Sequence, residues 1–173
     1  MKRRADLIWA LAEGSLLLAL GAISWATRQP LIFASLGPTA YELVEQPRLR
    51  SARPYNIIVG HLTGLASGFL SIYLFNAWKS PPVSSAGVLT TDRLWVAALA
   101  AALTTVLTLM LRAGQPAALA TTLLVALGLM QTRRDAIAII AGVIILAAIG
   151  EPLRRLRLKI LELRSMAATP IPR

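Results

Sequence analysis

Long apolar runs, each closed off by a short charged cluster, leave this chain few ways to fold. Residues 6–27, 54–78, 92–111 and 136–150 carry almost no charge, and a helix needs about 20 apolar residues to cross the hydrocarbon core of a bilayer. In lipid every backbone N–H and C=O must find its partner within the chain, so such runs are helices. Two further segments, 29–46 and 115–131, are apolar but shorter or interrupted. Each either crosses or dips in and returns. The first run follows Lys2, Arg3 and Arg4 as a signal peptide's would. Glu13 breaks its apolar centre and more runs follow, which predicts an uncleaved first helix.

Charge then orients the spans. The net charge is +10, yet the basic residues sit in clusters between the apolar runs, as anchors at a membrane surface do and a nucleic-acid-binding stripe does not. With six crossings and a cytoplasmic N-terminus, thirteen of the 18 basic residues fall on the cytoplasmic side; re-entry of both interrupted segments lowers that number to eleven. Six crossings are expected, giving a multi-pass protein of the inner (plasma) membrane with both termini cytoplasmic. With 0 cysteines and 1 histidine, disulfides, thiolate metal sites and His-rich metal clusters are excluded, and no cofactor is expected. The sequence also lacks a nucleophile–base motif, so an enzyme is not expected.

The chain repeats itself. At an offset of 86 residues, Asp6 falls on Asp92, Trp9 on Trp95, Gln29 on Gln115, Pro30 on Pro116 and Ser35 on Thr121. Three spans per half is an odd number, so the second half enters the membrane upside down, as in transporters built from inverted repeats. The expected fold is an all-α membrane protein of about six transmembrane or half-membrane helices in two inverted three-helix repeats. The single membrane domain, 1–173, divides into repeats 6–78 and 92–150 and a basic interfacial helix over 152–165. In that tail Leu153, Leu156, Ile160 and Leu163 form a stripe among arginines, suited to an anionic leaflet.

Within the first half, "SLGPTA" places Gly37-Pro38 inside an apolar segment. Proline suits a helix's first turn, so "SLG" ends one half-helix and Pro38 begins another, whose free N–H groups face the membrane interior as an anion site. The alternative is a plain proline kink. On the next span Gly60, Gly64 and Gly68 repeat every four residues, a spacing that lets helix backbones touch, either within the chain or between copies. His61 lies about 10 Å in from Pro54 on this helix. An ionisable group at such depth points to function, either a hydrogen bond to a passing anion or a proton carried with it; the alternative is interhelical glue. Glu42 and Glu45 are expected to pair with Arg48, Arg50 or Arg53.

These residues resemble a family. Ser35, Gly37, Pro38, Thr39 and Ala40, followed by Pro54, Asn56, Gly60 and His61, are similar to the paired motifs of the HPP family of small integral membrane proteins. In the second half the family's His-Pro-Pro stretch is reduced to "GQPAALATTLL", where Pro116, Ala117, Ala120 and Thr121 match. Some plant members are chloroplast nitrite transporters, so the resemblance implies passage of a small monovalent anion, with nitrite the leading candidate. The expected binding residues are Ser35, Gly37, Pro38, Thr39, Asn56, His61 and Thr121, with Gly60, Gly64 and Gly68 for packing. The expected partners are the lipid bilayer, the anion and further copies of the chain, with no nucleic acid. A non-transporting assembly or packing subunit is the rival reading.

Overall fold

The computed structural model describes residues 2–168, with side chains over 7–166. Arg173, counted above among the cytoplasmic basic residues, lies outside the described residues. Seven α-helices run in the order α1 (Lys2–Thr27), α2 (Leu36–Glu45), α3 (Pro54–Leu74), α4 (Val83–Ala86), α5 (Thr91–Met110), α6 (Ala117–Ala126) and α7 (Arg133–Ala168), with a 3-10 turn at Ala77–Lys79. No strand occurs among the described residues. Four helices, α1, α3, α5 and α7, are long and apolar enough to cross a membrane.

Local chemistry sets the helix ends. Pro54 occupies the first turn of α3, where its fixed φ and missing N–H cost nothing. The Thr90 hydroxyl caps α5 by accepting from the Arg93 N–H, with Asp92 in the first turn against the positive end of the helix dipole. Arg28 and Arg112, at φ 53° and 51°, end α1 and α5 in the left-handed region. Each closes the same pair of bonds: Arg28 N to Trp25 O and Gln29 N to Ser24 O, then Arg112 N to Leu109 O and Ala113 N to Thr108 O. This is the Schellman arrangement, and it satisfies carbonyls that the helix end would leave open.

The chain passes between the two ends of the bundle six times. The first end holds Trp9 of α1, the exit of α2 and the far part of α7: Arg157 lies 4.6 Å over the Trp9 ring, and Arg154 Nη1 donates to Pro47 O at 2.9 Å. At the second end, Arg134 Nη2 donates to Arg28 O at 2.9 Å, so α7 starts where α1 stops. Residues 28–47 therefore return to the first end, and α3 leaves it. There the start of α3 meets the exit of α5, with Tyr55 Oη donating to Leu111 O at 3.0 Å and Asn56 Nδ2 to Gly114 O at 3.2 Å. At the second end Arg93, near the start of α5, donates to Ala126 O at 3.1 Å and to Gln131 Oε1 at 2.9 Å. Residues 112–131 thus return as well.

Both returning segments are part helix and part irregular. Helices of 10 residues, α2 and α6, reach about 15 Å, half the hydrocarbon thickness. Irregular backbone survives at that depth only when protein covers it, and Leu31, Ser35 and Ala113 are buried. The expected half-helix ending at "SLG" is absent: residues 28–35 are turn and irregular chain, and one helix begins at Leu36 with Pro38 in its first turn.

Glycines seat the short helices. A Cβ at Gly60 would come within 2.7 Å of the Gln115 Cβ, at Gly64 within 2.5 Å of Ala118 O, and at Gly68 within 2.8 Å of the Val125 Cβ. The glycine stripe is therefore occupied inside the chain, by α6. In the other half, Gly142 and Gly150 of α7 receive Leu31 and Leu43 from the 28–47 segment in the same way.

The basic stretch 152–165 is not a helix of its own. It continues α7 through Pro152. Glu151 bridges Arg154 and Arg155 across the proline, both at 2.6 Å, and Leu153 and Ile160 pack against the core while Leu156 and Leu163 are exposed.

Candidate functional site

Four of the expected site residues converge at the centre of the bundle, each with no exposed surface: Ser35, Thr39, His61 and Thr121. Ser35 is the N-cap of α2 but makes no capping bond with its side chain. Its Oγ lies 2.7 Å from Thr121 Oγ1 on α6 instead. Thr121 Oγ1 is 2.7 Å from His61 Nδ1, and Thr39 Oγ1 is 2.9 Å from His61 Nε2. Thr39 Oγ1 also reaches Ser35 O at 3.1 Å.

Counting donors assigns the directions. The Thr39 hydroxyl has one proton, and donating it to Ser35 O leaves its oxygen to accept from His61 Nε2–H. Nδ1 of the neutral imidazole is then an acceptor and takes the Thr121 proton. Thr121 accepts in turn from Ser35. Starting at the Ser35 hydroxyl and closing on the Ser35 carbonyl, every side-chain donor of the ring finds an acceptor. No carboxylate takes part. Such a network at membrane depth is costly if left half-satisfied and rigid when complete.

The other expected residues lie elsewhere. Gly37 and Pro38 occupy the first turn of α2 off the ring face, with Pro38 exposed and open space where a Gly37 Cβ would be. Asn56 lies at the first end, where it ties α3 to the α5–α6 connection through Arg112 O and Gly114 O. The helix-packing glycines lie against α6 and Gln115, within the chain, the alternative the sequence left open.

Three features escaped the sequence reading. Arg93 has no exposed surface and is held by neutral acceptors alone: Pro81 O at 3.4 Å, Ala126 O at 3.1 Å, Ser80 O at 2.6 Å and Gln131 Oε1 at 2.9 Å. Behind α6, Thr104 and Thr122 hydrogen-bond at 2.8 Å beside a recess of about 360 Å³ lined in part by Ser51, Thr105, Thr108 and Gln115. The i, i+4 spacing of Thr104 and Thr108 was its available signal. Finally, Glu45 Oε2 faces Arg157 Nη2 at 3.8 Å rather than the neighbouring arginines; Glu42 Oε2 and Arg157 Nε and Nη1 are buried without a hydrogen-bond partner. The pairing expected with Arg48, Arg50 or Arg53 is replaced because α7 brings Arg157 onto the exit of α2.

No group of three His, Cys, Asp or Glu residues among those described converges to hold a metal. Neither the curated proteins nor the solved structures contain a match to this chain. The model of the HPP transmembrane region matches residues 1–159, so the chain belongs to the HPP family of membrane proteins.

Proposed function

We propose that this protein moves a small monovalent anion across the bilayer beside the Ser35–Thr39–His61–Thr121 ring. Nitrite is the leading substrate, from the resemblance to the family's chloroplast members. The observation that carries this reading is the ring itself: one imidazole and three hydroxyls gathered at membrane depth on a helix and two broken segments, with no fixed charge. Neutral donors replace part of an anion's hydration shell without holding it too tightly, the balance that conduction demands. The ring is closed on itself in this state, so the anion is received when the Ser35 and Thr121 hydroxyls and the imidazole N–H turn away from one another. Gly37 and Pro38 act by starting α2 where they do, and Asn56 by fixing the entry of α3.

The two halves act as an inverted pair. Several observations support this: opposite directions of traverse, matching caps at Arg28 and Arg112, matching glycine seats on α3 and α7, and the Ser35–Thr121 bond between residues 86 apart. Near a twofold axis a residue meets its own counterpart. With the N-terminus cytoplasmic, the first end faces the cytoplasm and Glu13 enters the membrane from that side.

Nitrite flux into liposomes containing the purified protein tests the reading. His61→Ala should slow flux by roughly tenfold, the worth of one buried hydrogen bond, while the protein stays folded. Completeness of the ring favours one rival, a packing subunit in which these four side chains are only a clamp. An absence of flux in the wild-type protein would establish it, whereas an unchanged rate in His61→Ala would leave transport standing and make His61 interhelical glue.

A further inference from the structure

A groove of about 510 Å³ opens between α3 and α7 near the first end, on a face of the bundle where no other described element lines it. Its floor is apolar: Ile58 from α3, with Ile144, Ala147 and Ala148 from α7. Its mouth is charged and is framed by Pro54, Glu151, Pro152 and Arg155. Glu151 and Arg155 pair with each other at the mouth, and the nearly buried Arg154 behind Glu151 bonds the same carboxylate, so its negative charge is fully answered. The Arg155 side chain is 76% exposed, and exposed Arg53 immediately precedes Pro54 on the opposite rim. Pro152 has no N–H to offer the Ala148 carbonyl one turn earlier. Small side chains at Ala147 and Ala148 hollow the wall.

We propose that this groove is a binding site for an anionic phospholipid. One acyl chain lies against Ile58 and Ile144, and the phosphate meets Arg155 and Arg53. The chemistry is graded along the groove as it is along a lipid: cationic at the end where basic residues concentrate, apolar toward the middle of the bundle. Basic pockets between transmembrane helices recognise anionic headgroups in this way. The proposal does not depend on the transport reading.

Native mass spectrometry of the full-length protein, offered equal phosphatidylglycerol and phosphatidylcholine, tests it. The wild-type protein should retain phosphatidylglycerol in preference. Replacing Arg155→Gln and Arg53→Gln should lower that preference about fivefold for each arginine removed. Both positions are exposed, so the fold should survive. Ile144→Trp, which fills the groove, should reduce retention of both lipids. Equal retention by the wild-type protein, or a preference that persists in the double variant, would overturn the proposal. So would efficient disulfide cross-linking of two chains through Ile144→Cys in membranes, since a second copy would then cover the groove; with no native cysteine the result has one reading.

Discussion

Thr121 has a single hydroxyl, and two partners depend on it: it accepts from Ser35 and donates to His61. Thr121→Val keeps the shape and removes both bonds, leaving a buried acceptor on the imidazole and a buried donor on Ser35. It should destabilise the folded protein by about 1–2 kcal/mol, read as a lower midpoint of thermal unfolding in detergent, while Thr121→Ser should stay near the parent. At this scale the sequence was partly legible. Ser35, Thr39 and His61 stood out through the motifs they share with the family, and Thr121 through its offset from Ser35. Gly37, Pro38 and Asn56 belong to the same motifs yet stand apart, because a motif records adjacency along the chain. A helix turns about 100° per residue, so 35 and 39 share a face that 37 and 38 leave.

Among the elements, the contact between α3 and α6 is built on three successive glycines. Gly64→Leu should abolish it, since even a Cβ would sit 2.5 Å from Ala118 O and 2.8 Å from Thr122 Oγ1. Expected is loss of the monodisperse folded peak in size-exclusion chromatography. Gly14→Leu, at a position with open space, should elute as the parent does. Hydropathy located α1, α3 and α5 within a few residues, and the start of α7 but not its end. It could not divide 29–46 or 115–131 into helix and irregular chain, because both are equally oily and only the covering neighbours decide. Nor could it place Arg93, which reads as a flanking anchor until the loop after α3 folds over it and supplies the Ser80 and Pro81 carbonyls. Pro152 read as a boundary for a similar reason: the Glu151 bridges and the contacts of Leu153 and Ile160 that carry α7 past it come from tertiary structure.

For the whole molecule, alternation between two ends separates the charges. Of the seventeen basic residues described, twelve lie at the first end and five at the second, the asymmetry on which the proposed cytoplasmic first end rests. Ser84, exposed in α4, and Ser165, exposed near the end of α7, belong to opposite ends. In intact cells Ser84→Cys should react with an impermeant thiol reagent and Ser165→Cys should not. Equal labelling of the two would refute this topology. The four long spans were legible from apolar runs, and the return of 28–47 and 112–131 was expected from the charge clusters between them. The intimacy of the two halves was not, because each long third helix packs on the short helix of the other half, and nothing local records that exchange.

α7 runs for 36 residues, about 54 Å, against a hydrocarbon core of about 30 Å. It is a shaft that leaves the membrane, with one rung missing at Pro152 where bending is least resisted. Sixteen residues lie beyond that joint, roughly 24 Å of lever. Arg154 on Pro47 O, Arg157 over Trp9 and Ile160 against the core tie the first half of that length to α1 and the exit of α2, so a shift of either inside the bilayer should be carried along the shaft to the aqueous surface.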